Sequence, residues 1–91
     1  MTIGELYNII KDRKEKMPDN SYVASLFIKG TDAIIQKVGE EAVELVIAAK
    51  NSDRKGVIEE SADLIFHLLI LLTNREITLV QIEEELEKRV K

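Results

Sequence analysis

Cysteine and tryptophan are absent from this chain of 91 residues, which also has only one proline and four aromatic residues. Without cysteine there is no disulfide, no thiolate nucleophile and no cysteine-based zinc site. This composition fits a reducing cytoplasm, which is the location we expect. The longest uncharged stretch, residues 64–74, is about half of a membrane span. No basic and apolar leader follows Met1, so we expect neither a signal peptide nor a membrane partner.

Basic residues are in the minority, with 13 Lys and Arg against 17 Asp and Glu and a net charge of −4. This balance argues against a nucleic-acid partner bound through a general basic field. The chain is 45% hydrophobic and 33% charged, as ordinary globular proteins are. Its length predicts a single domain over residues 1–91, with a limited core of its own.

Helix signals recur along the sequence, and no segment alternates apolar and polar residues long enough to predict a strand. Thr2–Glu5 and Thr78–Gln81 have the residues of capping boxes, which predict the start of a first and a last helix. Pro18 predicts the loop after the first helix. Ser21 is expected to cap a short second helix, which Gly30 would close as a left-handed residue.

Two long helices are predicted in the middle of the chain. The first runs from about residue 31 or 32 to residue 50, and the second from about residue 53 to residue 73. Asn51, Ser52 and Asp53 interrupt the helical pattern between them and cap the second helix. The predicted fold is therefore an all-α bundle of about four to five helices, with these two at its centre.

Each long helix carries a narrow stripe of polar side chains on an otherwise apolar surface. At 100° per residue, one arc of the first long helix holds Lys37, Glu40, Glu41 and Glu44. The corresponding stripe of the second long helix holds Gly56, Glu60, Asp63 and His67. A solvated face would be broader and would mix charges of both signs. The sequence therefore predicts that these acids are partly buried.

Buried carboxylates are costly unless they are paired or bound to a metal. Two helices packed stripe to stripe would bring together Glu41, Glu44, Glu60 and Asp63. Oxygen atoms are hard ligands that select Mg²⁺ or Mn²⁺. The pattern favours a divalent-metal site between the helices over a solvent-facing acidic surface, although the latter is the commoner origin of this spacing. A di-iron site is not predicted, because its Glu-x-x-His pairs are missing.

Three further residues on the two helices invite a functional interpretation. A lone histidine such as His67 is more often a satisfied core or interface residue than a catalytic one. Gly39 lies inside a predicted helix, where glycine costs about 1 kcal/mol relative to alanine. Either a neighbouring backbone or a substrate comes close there, which is the interpretation that we favour, or the glycine is simply tolerated. Lys37 is the best candidate to contact a phosphate, because it shares the acidic stripe.

The acids also resemble the signature of a known superfamily. Glu40-Glu41-x-x-Glu44, followed by Glu60-x-x-Asp63, is similar to the EExxE and ExxD motifs of the all-α nucleotide pyrophosphohydrolases. That superfamily includes the MazG proteins and the phosphoribosyl-ATP pyrophosphatase family. The flanking segments resemble the second of these, namely residues 21–26, 37–42 and 59–69. The resemblance extends from about residue 3 to residue 86.

The resemblance implies hydrolysis of phosphoribosyl-ATP to phosphoribosyl-AMP and pyrophosphate, the second step of histidine biosynthesis. Mg²⁺, or Mn²⁺ in its place, would be held by Glu41, Glu44, Glu60 and Asp63. Glu40 would be an extra ligand, a partner of a ligand or the acceptor that orients the attacking water. Lys37 would contact a phosphate. A separate cyclohydrolase would act next, since no segment of the chain resembles one.

The apolar flanks of both stripes exceed what the shorter helices can cover, so we expect a homodimer with a shared central bundle. The resemblance implies the same. Two alternatives stay open: a MazG-like enzyme that hydrolyses non-standard nucleotides, and a non-catalytic helical dimerisation module. Without Glu40, Glu41, Glu44, Glu60 and Asp63, twelve acidic residues would face thirteen basic ones. The acidity is therefore concentrated where bound cations would offset it.

Overall fold

The computed structural model describes residues 1–90, which form five α-helices and no strand. Their bounds are α1 Ile3–Lys16, α2 Tyr22–Lys29, α3 Thr31–Lys50, α4 Arg54–Asn74 and α5 Leu79–Glu87. The predicted all-α bundle with two long central helices is confirmed. The single domain over residues 1–91 stays a prediction, and its last residue, Lys91, lies outside the described part of the chain. Within that part, no helix has both the length and the hydropathy needed to cross a bilayer.

Side-chain caps start four of the five helices at the residues that the sequence predicts. Thr2 and Thr78 form complete capping boxes. Ser21 and Asp53 each accept a hydrogen bond from the backbone N–H group three residues further on. Each cap satisfies a donor that the first helical turn would otherwise leave without a partner.

The helix ends contain more residues with positive φ than the sequence predicts. Gly30 has a φ of 102°, but its ψ of 179° is extended, so it is not the left-handed helical residue that was expected there. Met17 ends α1 with a φ of 46° and a ψ of 56°, which is a left-handed conformation. Pro18 disfavours the right-handed helical conformation in the residue before it, so α1 ends at this point.

The hydrophobic core lies at one end of the α3–α4 hairpin. These two helices pack against each other more extensively than any other pair in residues 1–90. Ile34, near the start of α3, and Ile70, near the end of α4, join Ile10 of α1 and Leu26 of α2 in one buried cluster. Nearer the loop that joins the two helices, Val46, Ile47 and Ile58 are more than half exposed. The clustered acids lie between this region and the core.

Candidate metal centre

Three of the predicted metal ligands come together between α3 and α4. One carboxylate oxygen from each of Glu41, Glu60 and Asp63 lies within 4.8 Å of the other two. Glu60 and Asp63 are three residues apart and thus neighbours on the surface of α4, whereas Glu41 reaches the cluster from α3. A single cation between these oxygen atoms could contact all three carboxylates.

Glu44, the fourth predicted ligand, lies outside this cluster. Residues 41 and 44 are about 60° apart on one arc of α3, but the carboxylate oxygens that lie within 4.8 Å of one another include one from Glu41 and none from Glu44. Glu44 is exposed, and together with Glu40 it borders an open groove of about 510 Å³ on α3. Glu44 is nevertheless close enough for its charge to act on Glu60, so it lies beside the three clustered carboxylates rather than among them.

Glu60 is the member of the cluster that most lacks a partner. Its Oε2 atom is buried and has no hydrogen-bond partner within residues 1–90. Burial raises the pKa of Glu60 above its usual range, and the charges of Glu44, Asp63 and Glu41 raise it further. The ionised carboxylate has lost water here without gaining a hydrogen bond or an opposite charge. Since hard oxygen ligands suit Mg²⁺, the residues present fit a divalent cation at this position.

Lys37 contributes a positive charge at the edge of the cluster. Its Nζ atom lies 3.4 Å from Oε1 of Glu41, whose side chain is only 12% exposed. Burial opposes the charge of Lys37, but the hydrogen bond and the charge of Glu41 outweigh it, so the pKa of Lys37 is raised. Lys37 therefore stays protonated and offsets part of the negative charge.

His67 is a buried residue whose hydrogen-bonding groups all have partners, as is most often true of a lone histidine on an apolar helix. It is 5% exposed, and both ring nitrogen atoms have partners. Its Nδ1 lies 2.7 Å from the backbone oxygen of Asp63, and its Nε2 lies 2.8 Å from the hydroxyl group of Tyr22. Because a carbonyl oxygen only accepts, Nδ1 donates to Asp63 and Nε2 accepts from Tyr22. Tyr22 thus comes close to the cluster, although the sequence includes it only in the flanking segment 21–26 and not among the predicted site residues.

Gly39 has no close neighbour within its own chain. A Cβ atom at this position would meet nothing within 4 Å among the described residues. Gly39 is exposed and lies on the groove that Glu40 and Glu44 border. The expected approach of a neighbouring backbone is therefore not made by residues 1–90 themselves, and a second chain or a substrate remains to explain the glycine.

Comparison with known families identifies the kind of protein in which this cluster occurs. The family model described as phosphoribosyl-ATP pyrophosphohydrolase matches residues 3–90. The chain belongs to this family. The family match agrees with the resemblance of the acidic motifs and of the segments that flank them.

Curated members of the phosphoribosyl-ATP pyrophosphohydrolase family resemble the chain over most of its length. A phosphoribosyl-ATP pyrophosphatase from Clostridium botulinum is 51% identical over 87 residues, which cover 96% of this chain and 79% of the relative. One from Leptospira biflexa is 51% identical over 85 residues, which cover 93% of this chain and 92% of the relative. One from Haloarcula marismortui is 46% identical over 89 residues, which cover 96% of this chain and 91% of the relative. The chain therefore aligns with these relatives over most of their own length as well.

Proposed function

We propose that the chain hydrolyses the α–β phosphoanhydride of phosphoribosyl-ATP to phosphoribosyl-AMP and pyrophosphate, the second step of histidine biosynthesis. The observation that carries the proposal is the cluster of Glu41, Glu60 and Asp63 in a chain of the phosphoribosyl-ATP pyrophosphohydrolase family. Cleavage of a phosphoanhydride requires charge neutralisation and a positioned water molecule. An acidic centre that holds a divalent cation is suited to the first of these tasks.

The cofactor in this proposal is Mg²⁺, for which Mn²⁺ can substitute. Glu41, Glu60 and Asp63 would hold it, and Glu44, exposed beside the cluster, would be the fourth ligand. When bound, Mg²⁺ neutralises negative charge on the triphosphate and on the departing pyrophosphate. The buried, unpartnered Oε2 atom of Glu60 supports this assignment, because it needs a positive partner when ionised.

Two further residues of α3 act on the substrate in this proposal. Lys37 turns from Glu41 to a phosphate oxygen, a movement that its side chain, 33% exposed, has room to make. Glu40 is exposed next to Glu41, and it accepts a hydrogen bond from the attacking water or supports a ligand. Both roles need residues at the rim of the cluster rather than inside it.

We also propose that the chain forms a homodimer. Large aliphatic side chains of α3 and α4 are 37% to 61% exposed, among them Ile35, Val46, Ile58 and Ile65. A monomer rarely leaves so many apolar side chains in water on neighbouring helices, and a second copy would cover them. Gly39 lies on the exposed side of α3, where the missing side chain would let a partner helix approach closely.

The two alternative functions are less well supported than the proposed reaction. A MazG-like enzyme acting on non-standard nucleotides is disfavoured by the match of residues 3–90 to a different family. A non-catalytic dimerisation module is disfavoured by the clustered acids, which would destabilise a chain that had no use for them. The cytoplasmic location and the separate cyclohydrolase that acts next stay predictions.

A pyrophosphate-release assay tests the proposed function. Phosphoribosyl-ATP and a panel of free nucleotides are compared side by side with Mg²⁺, with Mn²⁺ and with excess chelator. We expect a clear preference for phosphoribosyl-ATP and loss of activity in chelator. Activity that persists in chelator would contradict the metal centre, and a preference for free nucleotides would contradict the substrate. The Glu41→Gln/Glu44→Gln double variant should lose activity while its oligomeric state persists.

A further inference from the structure

Tyr22 stands beside the carboxylate cluster, and about half of the residue is exposed. Tyr22 is the first residue of α2, and the residue as a whole is 48% exposed. Its hydroxyl group donates to Nε2 of His67, and Nδ1 of the same imidazole donates to the backbone oxygen of Asp63. Two hydrogen bonds through one imidazole therefore tie Tyr22 to a residue of the carboxylate cluster.

The ring of Tyr22 is held in place before any ligand arrives. It stacks on Phe66, with the ring centroids 6.2 Å apart and the planes at 21°. His67 meets it edge-on, with the centroids 5.7 Å apart and the planes at 84°. A side chain fixed at its tip and on one face loses little further freedom when its other face binds a ligand. The open face of Tyr22 is therefore a preorganised flat surface.

The hydroxyl group of Tyr22 also lies within electrostatic reach of the charged cluster. Burial raises the pKa of Tyr22, Lys37 opposes this shift, and the charges of Glu41 and Asp63 add to it. Tyr22 consequently stays protonated at neutral pH and remains a donor to His67. The hydroxyl end of Tyr22 thus lies near the carboxylates, so that an aromatic ring and an anionic cluster stand side by side.

We infer that the open face of Tyr22, backed by Phe66, stacks on the purine base of the nucleotide whose phosphates bind at the carboxylate cluster. A nucleotide has the same two parts, a flat ring and a polyphosphate separated by one sugar. Aromatic side chains stack on bases because both present flat faces, and loss of such a contact weakens binding by about tenfold. This inference rests on the proposed function, since phosphoribosyl-ATP has both a purine ring and a triphosphate.

Binding of two probes to four proteins tests the stacking. The probes are α,β-methylene-ATP, which cannot be cleaved at the α–β position, and tripolyphosphate, which has no base, both measured by calorimetry with Mg²⁺. The proteins are the wild type and the Tyr22→Phe, Tyr22→Trp and Tyr22→Leu variants. We expect Tyr22→Leu to weaken α,β-methylene-ATP binding about tenfold and to leave tripolyphosphate binding unchanged. Tyr22→Phe and Tyr22→Trp keep a ring and should bind both probes nearly as the wild type does.

Turnover of phosphoribosyl-ATP gives a second measurement with a different readout. A stacking contact is made equally in the ground state and the transition state, so Tyr22→Leu should raise KM and leave kcat nearly unchanged. A purely structural role would not discriminate between the probes. Equal weakening of both probes, or no weakening of either, would therefore overturn the inference.

The Tyr22→Trp variant keeps the test valid if Tyr22→Leu does not fold. The natural chain contains no tryptophan, so the introduced residue is the only indole fluorophore. Its emission should be quenched by α,β-methylene-ATP and not by tripolyphosphate, and the same response to both would overturn the stacking. A chain that fails to hydrolyse phosphoribosyl-ATP but binds α,β-methylene-ATP through Tyr22 would overturn the proposed reaction and retain the stacking surface.

Discussion

The two halves of α4 differ in what they bury. All five buried residues of the helix lie from His67 onward, and residues 54–66 contain none. The second half packs into the core, where Ile70 and Ile10 are completely buried. The first half carries Glu60 and Asp63 together with exposed aliphatic side chains. One helix thus stabilises the fold at one end and presents the candidate site at the other.

This difference shows how a small domain can accommodate a costly cluster of acids. Three carboxylates with oxygens within 4.8 Å repel one another when no cation is present, and Glu60 also loses hydration. Placed beside Ile70 in the core, such a cluster would oppose folding directly. Placed in the first half of α4, it weakens a region on which the core does not depend, so that ligand binding can recover the loss.

The largest expected effect is the loss of activity on substitution in the first half of α4. Glu60→Gln keeps the size of the side chain but removes its charge, and we expect a fall in pyrophosphate release of about 10²–10³-fold. Glu59→Gln is the matched control, because Glu59 is the adjacent residue and its side chain is 60% exposed. It should stay close to wild-type activity. Equal losses in the two variants would mean that the cluster has no special role.

Stability should respond in the opposite way along the helix. Ile70→Ala removes a completely buried side chain, and we expect it to lower the free energy of unfolding by about 2–5 kcal/mol in urea denaturation. Ile58→Ala makes the same change at a side chain that is 61% exposed. It should have little effect on folding and should instead weaken the proposed dimer in sedimentation. Similar losses of folding stability would contradict the division of α4 into two halves.

The cap of α4 offers a smaller test of its first half. Asp53→Ala removes the acceptor for the N–H group of Gly56, and we expect a loss of about 1 kcal/mol in thermal unfolding. Thr78→Ala removes an equivalent cap from α5, away from the cluster. Only Asp53→Ala should also lower the affinity for Mg²⁺. If it bound Mg²⁺ as tightly as Thr78→Ala, the first turn of α4 would not position the ligands.

The smallest expected effect is the pH dependence of stability without metal. The pKa of Glu60 is raised from 4.5, so the folded chain holds this proton to higher pH than the unfolded chain does. The contribution of Glu60 to the free energy of unfolding is therefore fully present below about pH 4.5 and is lost as the pH rises through the raised pKa of the folded chain. In chelator, the melting temperature of the wild type should decline as the pH rises, and this decline should be absent in Glu60→Gln.

Glu85 provides the control for that pH series. Hydrogen bonds from Arg89 and Lys88 lower the pKa of Glu85, so its contribution is present at neutral pH and is lost as the pH falls. Glu85→Gln should therefore change the melting temperature in the opposite direction at neutral pH. The same response in both variants would contradict the assigned electrostatics of Glu60.

Much of the fold could be predicted from the sequence because its signals are local. The caps at Thr2, Ser21, Asp53 and Thr78 depend on residues three positions apart, and the stripes depend on the helical repeat. The left-handed end at Met17 was missed, because its side chain gives no sign of that conformation.

The candidate site was only partly predictable, because it depends on how two helices meet. The sequence places Glu41 and Glu44 on one arc, but the rotation of α3 against α4 decides that Glu41 joins Glu60 in the cluster while Glu44 stays exposed beside it. That rotation is set by packing between helices that are distant in sequence. Tyr22 and His67 are 45 residues apart, so their hydrogen bond left no local pattern.

The most direct test of the account compares the melting temperatures of the wild type and Glu60→Gln with and without Mg²⁺. Without metal, the variant should be the more stable protein, because it lacks the buried, unpartnered charge of Glu60. With saturating Mg²⁺ the order should reverse, since binding to the folded state stabilises the wild type and the variant has lost a ligand. The same order in both conditions, with the wild type unaffected by Mg²⁺, would contradict a metal centre in the first half of α4.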